Sequence, residues 1–518
     1  MYQEIDCESK MDVREQLKES EVTEVSKKLK SFGLVIDEVK FGRRTIKDID
    51  SIVATVEGWL QNENLNTFDR LMSFYVLGQA YNAKKCLTVD PSRAMFNNSL
   101  VLKEIFCYRK TLNIAEEIKE RGLWVLYKTV LGCVYQANVH MGNVYDHLGR
   151  HQDAQYSYLL AAQMMPSDYM WKFNVGFSLG GMFGYYENRV KPFVVEQAKE
   201  LLKPYLDRPE TTSSAKQMWE KLSPLKTLPL SEDKEYEYAD TDEDKYAQWV
   251  NDHFLRLNAY NDVHPYSLLS QDDSLYFESL FYKRERFEDS QRLMALLNEI
   301  KQEYVSARYM LYSYFVNSGT IHFSDSNVRI ADVYDLCNYS YNIELAKAAF
   351  RALYSLLDKI AFALNDYLGL GVKGKDVSFS TFWYNERKKR ILRQEILGHS
   401  TVISLAGLLF IRNDIYGGDE SYLQADETKL LQKVRNAMEH RAIQIVDTGI
   451  FEDKGSVLFI SREEFEKVSM NLIRTVRQAI FCFVNAVSHI SYNQAEEAKK
   501  HGVVMEQFFD EVKDEDKV

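Results

Sequence analysis

One short segment of the sequence, LLQKVRNAMEHRAIQIV at residues 430–446, carries residue types that could act together on a phosphodiester. Asn436 and His440 are four residues apart, so on a helix they share a face. Arg435 lies beside that face, and its long side chain can reach across it. Histidine can move a proton near neutral pH, and arginine can stabilise charge that develops on a phosphate. The spacing therefore predicts a helix that presents three groups suited to RNA cleavage: Arg435, Asn436 and His440.

The same residues also have a purely structural interpretation. Arg435 and Glu439 could form an i,i+4 ion pair on the surface, and His440 could be a partly buried histidine with a satisfied partner. An arginine and a histidine at similar spacing also occur by chance. Arg393 and His399 are such a pair, but no asparagine follows the arginine, and a glycine before the histidine predicts a helix end.

Charge is the main difficulty for any function on RNA. The chain of 518 residues has a net charge of −12, whereas contact with phosphates requires local lysine and arginine. A basic run, RKKRILR at 387–393, follows the aromatic residues Phe382, Trp383 and Tyr384, which could stack on unpaired bases. The alternative is a solvated helix face beside a packed aromatic cluster. The predicted RNA contacts are Arg387, Lys388, Lys389, Arg390, Arg393 and Arg441.

Several classes of protein are disfavoured by what the sequence lacks. The six cysteines are scattered without a CxxC pair or zinc-binding spacing, which indicates a reducing compartment and predicts no metal site. The sequence has no phosphate loop, GxGxxG, HExxH or GxSxG motif, and we predict no cofactor. The charged N-terminus does not resemble a signal peptide, and no apolar stretch is long enough to span a bilayer. We therefore expect a cytoplasmic protein with no membrane partner.

The first half of the chain has a repetitive helical pattern. In residues 138–166 small and aromatic residues recur at Gly142, Tyr145, Gly149, Ala154, Tyr158 and Ala161, and Pro166 ends the unit. This spacing resembles the tetratricopeptide repeat (TPR), in which small residues allow two helices to approach closely. Gly176 follows Gly142 by one 34-residue period, and residues 77–81 look like a degenerate earlier unit. An ordinary helical bundle remains the alternative.

The second half predicts a bundle of long helices. It has no proline after Pro265, and apolar residues recur at three- and four-residue steps from Ile343 to Leu368. Further helices are predicted at about 386–411, 426–447 and 461–492, the third with Asp426 as its N-cap. Four long helices joined by loops would form an antiparallel bundle, so the fold class is all-α.

The RNAMEHR segment resembles the Arg-Asn-x-x-x-His signature of the HEPN superfamily of helical-bundle nucleases. Residues 350–368 and FSTFWYNERKKRIL further resemble a branch that joins a helical, repeat-like N-terminal region to a HEPN domain, over roughly 300–495. The resemblance implies a homodimer in which two copies of the Arg435, Asn436 and His440 helix line one cleft. It implies metal-independent cleavage that leaves a 2′,3′-cyclic phosphate, with Glu439 in a supporting role.

These observations give a division of the chain and two functional hypotheses. The predicted division is a helical lead-in (1–45), a TPR-like region (46–220), an acidic linker with connecting helices (221–289), a HEPN domain (290–495) and an acidic tail (496–518). The first hypothesis is a HEPN endoribonuclease, of a prokaryotic antiphage defence or toxin type, that cuts transfer or messenger RNA and is regulated by a protein or peptide on the TPR-like region. The second is a non-catalytic scaffold that binds a protein partner. A site for small nucleotides has little support, because no phosphate loop is present.

Overall fold

The computed structural model describes residues 23–61, 64–88, 98–208, 212–277, 279–282, 287–317, 319–331, 337–386, 391–417, 426–447, 457–500 and 505–509, together with Val512 and Lys517. The helices of the N-terminal half are α1 (Glu24–Lys40), α2 (Ile46–Leu60), α3 (Thr67–Thr88), α4 (Ser99–Glu120), α5 (Trp124–His147), α6 (His151–Met164), α7 (Tyr169–Met182), α8 (Lys191–Leu202), α9 (Thr212–Leu222) and α10 (Asp242–Asp252). The helices of the C-terminal half are α11 (Phe287–Val316), α12 (Tyr341–Tyr367), α13 (Gln394–Leu397), α14 (Ile403–Tyr416), α15 (Asp426–His440) and α16 (Arg462–Lys499).

The other described elements are short strands and 3₁₀ turns. Because helices make up most of the described chain, the fold is all-α, as predicted. The strands pair two by two: β1 (Ser279–Tyr282) with β6 (Met505–Phe508) and β2 (Tyr384–Glu386) with β3 (Ile391–Leu392), both antiparallel, and β4 (Ala442–Val446) with β5 (Val457–Ser461), parallel. The 3₁₀ turns are Phe183–Tyr185, Lys203–Tyr205, Leu230–Glu232, Ala259–Asp262, Leu268–Ser270, Phe323–Asn327 and Gly374–Asp376.

The N-terminal helices pack as successive hairpins, α3 on α4, α5 on α6 and α7 on α8. Glycines allow the close approach, since a Cβ at Gly142 would lie 2.3 Å from the ring of Tyr158, and one at Gly78 would lie 2.6 Å from the ring of Tyr108. Gly149 turns the chain between α5 and α6 with a positive φ of 70°, which only glycine adopts without strain. The small and aromatic positions therefore do the packing expected of them, while membership in the TPR family stays a prediction.

The described residues contain three large hydrophobic cores and a small fourth cluster of Tyr135, Val139 and Ala161 between α5 and α6. The first joins α1 to α6 and also takes in Phe410 of α14, and the second lies around α7, α8 and α9. The third extends from Val250 in α10 to Ile490 in α16, so the C-terminal core already begins within the connecting region predicted at 221–289. In that core α11 packs along α12, and α16 packs against both α12 and α14.

Two of the four long helices predicted for the bundle are present nearly as expected, α12 and α16. The prediction of one helix at 386–411 is wrong. The strands β2 and β3 form a hairpin at the start of this range, and α14 begins only at Ile403. The helix predicted at 426–447 ends at His440, where β4 begins. The sequence of β4, AIQIV, is rich in β-branched residues, and Ile443 and Ile445, two residues apart, are both buried in the core, which is the pattern of a strand. At the C-terminus α16 continues to Lys499, and β6 follows it.

Candidate functional site

Helix α15 is amphipathic, and this decides where its polar residues lie. Leu431, Val434 and Met438 are buried at the three- and four-residue steps of one helix face. Asn436 and His440 are exposed on another face, and 68% of the His440 side chain is accessible. The alternative of a partly buried histidine is therefore wrong, and the motif helix presents its imidazole to solvent.

The Arg435 side chain is held in place from several sides. Its guanidinium donates to Oδ1 of Asn436 at 3.1 Å and forms an ion pair of 2.7 Å with Oε2 of Glu439. The guanidinium carbon lies 5.4 Å from the centre of the Tyr354 ring, which is a cation–π contact. Within the described part of the chain, its buried Nε has no hydrogen-bond partner. The ion pair of the structural interpretation is thus present, but it leaves Arg435 with unused donor capacity.

Behind Arg435 stand three residues that the sequence analysis did not single out. Tyr354 and Asp358 are one turn apart on α12, and the Tyr354 hydroxyl shares a hydrogen bond of 2.8 Å with that of Tyr416 at the end of α14. Burial raises the pKa of Tyr354 to about 12. Burial also raises the pKa of Asp358, and the Arg435 charge only partly opposes this. No local pattern marks these residues, since only the packing of α12 and α14 on α15 brings them to the arginine.

Glu439 lies between the arginine and the histidine. Its Oε2 atom contacts both the guanidinium of Arg435 and, at 3.7 Å, Nε2 of His440. Arg435, Asn436, Glu439 and His440 therefore form one continuous polar surface, which we call the motif surface. An anion that approached it would meet a guanidinium, a carboxamide and an imidazole, together with the Glu439 carboxylate that is paired with the guanidinium.

The predicted RNA-contact patch is only partly described. Arg387, Lys388, Lys389 and Arg390 lie outside the described residues. The stacking role considered for the preceding aromatics is wrong, because Phe382, Trp383 and Tyr384 are all buried in the core, which confirms the packed cluster of the alternative interpretation.

The two remaining arginines of the predicted patch differ in their surroundings. Arg393 donates to the Phe382 carbonyl at 2.8 Å and to Oδ1 of Asn385 at 2.9 Å, so its guanidinium fastens the β2–β3 hairpin. Arg441 is exposed and directly follows the motif helix. RNA contact by either residue stays a prediction, and the surroundings favour Arg441.

Helix α14 also connects the motif surface with the N-terminal helices. Two residues before Tyr416, Asp414 accepts two hydrogen bonds from Arg109 of α4, at 2.8 and 2.9 Å, and one from Arg150 at 2.6 Å. The side chains of Asp414 and Arg150 are only 10% and 5% exposed. Burial alone would raise the pKa of Asp414, but the two guanidinium groups hold it below its usual range. We call this buried cluster the junction.

In the part of the chain that the structure describes, no three side chains of His, Cys, Asp or Glu come together in a way that could hold a metal ion. None of the described helices is both long and apolar enough to cross a bilayer.

Comparison with known proteins identifies the C-terminal half. Residues 274–489 match the family of LA2681-like HEPN domains, and this range contains the whole motif surface together with Tyr354, Asp358, Asp414 and Tyr416. No curated protein and no solved structure matches the chain. The chain therefore carries a C-terminal HEPN domain, which is similar to the LA2681-like HEPN domains.

Proposed function

We propose that this protein is a metal-independent endoribonuclease whose HEPN domain cleaves RNA at the motif surface. HEPN domains are generally nucleases that act on RNA. The observation that carries the proposal is the exposed grouping of Arg435, Asn436 and His440 on one helix, with the guanidinium supported from behind by Tyr354. An exposed imidazole beside a fixed cation is what proton transfer at a phosphodiester requires.

The chemistry follows from the nucleophile that RNA itself carries. The ribose 2′-hydroxyl attacks the adjacent phosphorus, so that the O2′–P bond forms while the P–O5′ bond breaks. A neutral His440 takes the proton of the 2′-hydroxyl, and a protonated His440 gives one to the departing 5′-oxygen. Arg435 stabilises the negative charge that grows on the phosphoryl oxygens, and Asn436 orients the phosphate. The products are a 2′,3′-cyclic phosphate and a 5′-hydroxyl.

One histidine cannot be neutral and protonated at the same time. The proposal therefore includes a homodimer through the HEPN domain, in which each copy supplies one His440. The motif surface is open to solvent, which leaves room for both a second copy and an RNA strand. Glu439, in contact with both Arg435 and His440, orients the two side chains.

The junction supports regulation by the N-terminal region. Asp414, held by Arg109 and Arg150, is two residues from Tyr416, which contacts the Tyr354 that lies under Arg435. A protein or peptide that moved α4 or the α5–α6 turn would therefore shift the support of the catalytic arginine. In this proposal the protein is a cytoplasmic effector of prokaryotic antiphage defence or toxin type, whose basal cleavage rises when its trigger binds the TPR-like region.

The test is cleavage of total transfer RNA and of a structured messenger RNA by the full chain in EDTA. We expect the wild type to cut and His440→Ala to be slower by about 10²–10⁴-fold, the usual size of a general acid–base contribution. His399→Ala is the matched control, because His399 lies outside the motif surface. Equal cleavage by the wild type and His440→Ala would refute the mechanism.

A scaffold function is the second candidate, and one observation favours it. The guanidinium of Arg435 already forms an ion pair with Glu439 in its own helix. Such a pair is also expected of a surface arginine that has no catalytic role. This hypothesis expects a stable protein partner in pull-down and no RNA turnover by any variant, including Glu439→Gln, which frees the arginine.

A further inference from the structure

A cavity of about 220 Å³ lies far from the motif in sequence, where three segments of the chain meet. One wall comes from residues 184–190 after α7, one from residues 258–276 together with Phe281, and one from α16. We call it the tyrosine pocket, after Tyr185, Tyr186, Tyr276 and Tyr492, which line it. Pockets for drug-sized ligands measure roughly 300–1,000 Å³, so this one suits a smaller molecule. Junctions between parts of a fold are also where ligand sites most often occur.

Polar groups without partners line the pocket. The Asn485 side chain is only 6% exposed, yet it makes no hydrogen bond with any described residue. The hydroxyl groups of Tyr186, which is 3% exposed, and of Ser488 also lack partners in the described structure. None of these polar atoms is among the fully buried, unpartnered atoms of the described residues, and Ser488 is half-buried, so all three groups can be reached from the cavity. A carboxamide and two hydroxyls that share one cavity therefore form a hydrogen-bonding edge that offers both donors and acceptors.

Aromatic rings form much of the remaining lining, together with the aliphatic side chains of Val190, Ala259, Leu275 and Val484. Phe281 and Tyr492 pack edge to face, with ring centres 6.3 Å apart. Tyr276 and Tyr492 are exposed and so stand at the open side, whereas Tyr186 is buried and stands deep in the pocket. Aromatic walls favour a planar, apolar body, and the polar edge favours a ligand with a matching rim.

The charge of the lining argues against an ionic ligand. Neither lysine nor arginine is among the described residues that line the pocket. Lys499 lies against the outer Phe281 ring, but its ammonium is paired with Glu496. The one acidic group, Glu187, accepts a hydrogen bond from Ser274 and forms an ion pair with Arg189. Its charge is therefore already matched, and an anion would gain no partner.

We propose that the tyrosine pocket binds an uncharged, planar aromatic compound that carries both a hydrogen-bond donor and an acceptor on one edge. Primary aromatic carboxamides and amino-substituted heterocycles have this chemistry. The Asn485 carboxamide pairs with the donor and acceptor of the ligand, Tyr186 and Ser488 complete the edge, and the tyrosine rings enclose the ring of the ligand. This site is independent of the motif surface and of the proposed cleavage of RNA.

The experiment is calorimetric titration of the full chain with benzamide, nicotinamide, adenine and cytosine. Benzoate, which has the shape of benzamide but carries a negative charge, is the comparator. We expect at least one of the four neutral compounds to bind at millimolar concentration or below, and benzoate to bind at least tenfold more weakly than benzamide. Absence of binding by all four, or benzoate binding as well as benzamide, would overturn the proposal.

Variants locate the binding. Asn485→Leu keeps the size of the side chain but removes its polar edge, and we expect affinity to fall at least tenfold, since a ligand group would be left unpaired. Tyr186→Phe removes one hydroxyl from an otherwise unchanged wall and should weaken binding about 2–10-fold. Asn493→Leu, the same change at an exposed position of α16, should have no effect. If Asn485→Leu does not fold, Tyr186→Phe and Ser488→Ala carry the test, and affinity unchanged in both would place the ligand elsewhere.

Discussion

Two regions of the molecule, the junction and the motif surface, meet on α14, where Asp414 and Tyr416 are two residues apart. The polar side chains of the two regions differ in how far they are buried and paired. At the junction, Asp414 is buried and receives hydrogen bonds from two arginines, whose positions are fixed in turn by Asp153 and Tyr145. At the motif surface, the Arg435 guanidinium is paired with Asn436 and Glu439 of its own helix and lies over the Tyr354 ring, while the His440 side chain is exposed. Buried, paired polar groups hold two parts of the chain together, whereas exposed polar groups are open to a ligand.

The largest effect should come from breaking the junction. Asp414→Asn keeps the shape of the side chain but leaves Arg109 without a counter-charge and Arg150 with Asp153 alone, so we expect the free energy of unfolding to fall by ~3–5 kcal/mol. Chemical denaturation monitored by circular dichroism measures this. Glu344→Gln removes an exposed partner of Lys347 and should change stability very little. Equal stability of Asp414→Asn and wild type would mean that the junction does not hold the two regions together.

The motif surface should respond to substitution in activity and not in stability. If the proposed cleavage is correct, Arg435→Ala should slow it by about 10²–10³-fold, the size of losing one preorganised charge-stabilising donor. Arg393→Ala should instead cost about 1–3 kcal/mol of stability, because the Phe382 carbonyl and Asn385 lose their donor, and should leave cleavage nearly unchanged. Gel-based cleavage and thermal melts of both variants give the comparison. The reverse pattern would move the RNA site towards the β2–β3 hairpin.

The pH dependence of stability should distinguish the two regions further. The pKa of Asp414 in the folded chain lies below its ordinary value because of Arg109 and Arg150, although burial opposes them. The stability it contributes is therefore complete above that ordinary value, near pH 4, and is lost as the pH falls through the folded pKa. We expect the stability difference between wild type and Asp414→Asn to be constant from pH 7 to about pH 5 and to shrink below about pH 4. A constant difference down to pH 2 would show that the charge of Asp414 is not what stabilises the junction.

The smallest effect should come from the ring beneath the catalytic arginine. Tyr354→Leu removes a cation–π contact worth about 0.5–2 kcal/mol, so we expect cleavage to slow by roughly 2–30-fold. Tyr354→Phe keeps the ring and loses only the hydrogen bond to Tyr416, and it should stay closer to wild type. Michaelis–Menten analysis of both variants separates the two contributions. Equal loss in both would assign the role to the hydroxyl, and no loss in either would mean that Arg435 does not depend on its support.

Local patterns were sufficient for much of the molecule. The apolar spacing from Ile343 to Leu368 predicted α12, because each of its steps spans about one turn of helix. The small and aromatic positions around Gly142 and Tyr158 predicted a close-packed helix pair, because the two helices are neighbours in sequence joined by a short turn. The helix prediction failed at 386–411, where the chain forms the β2–β3 hairpin and Trp383 and its neighbours are buried in the core. It also failed after His440, where the alternation of Ile443 and Ile445 indicated a strand that was read as helix.

The sequence by itself determined the helical class of the fold, the resemblance to HEPN proteins and the placing of Arg435, Asn436 and His440 on one helix. These follow from side chains a few residues apart, whose relative positions the helix geometry sets. Only the tertiary structure brought Tyr354 and Asp358 to Arg435, joined Arg109 to Asp414 across 305 residues and enclosed the tyrosine pocket. Contacts at such separations depend on how helices pack, and no short stretch of sequence records that.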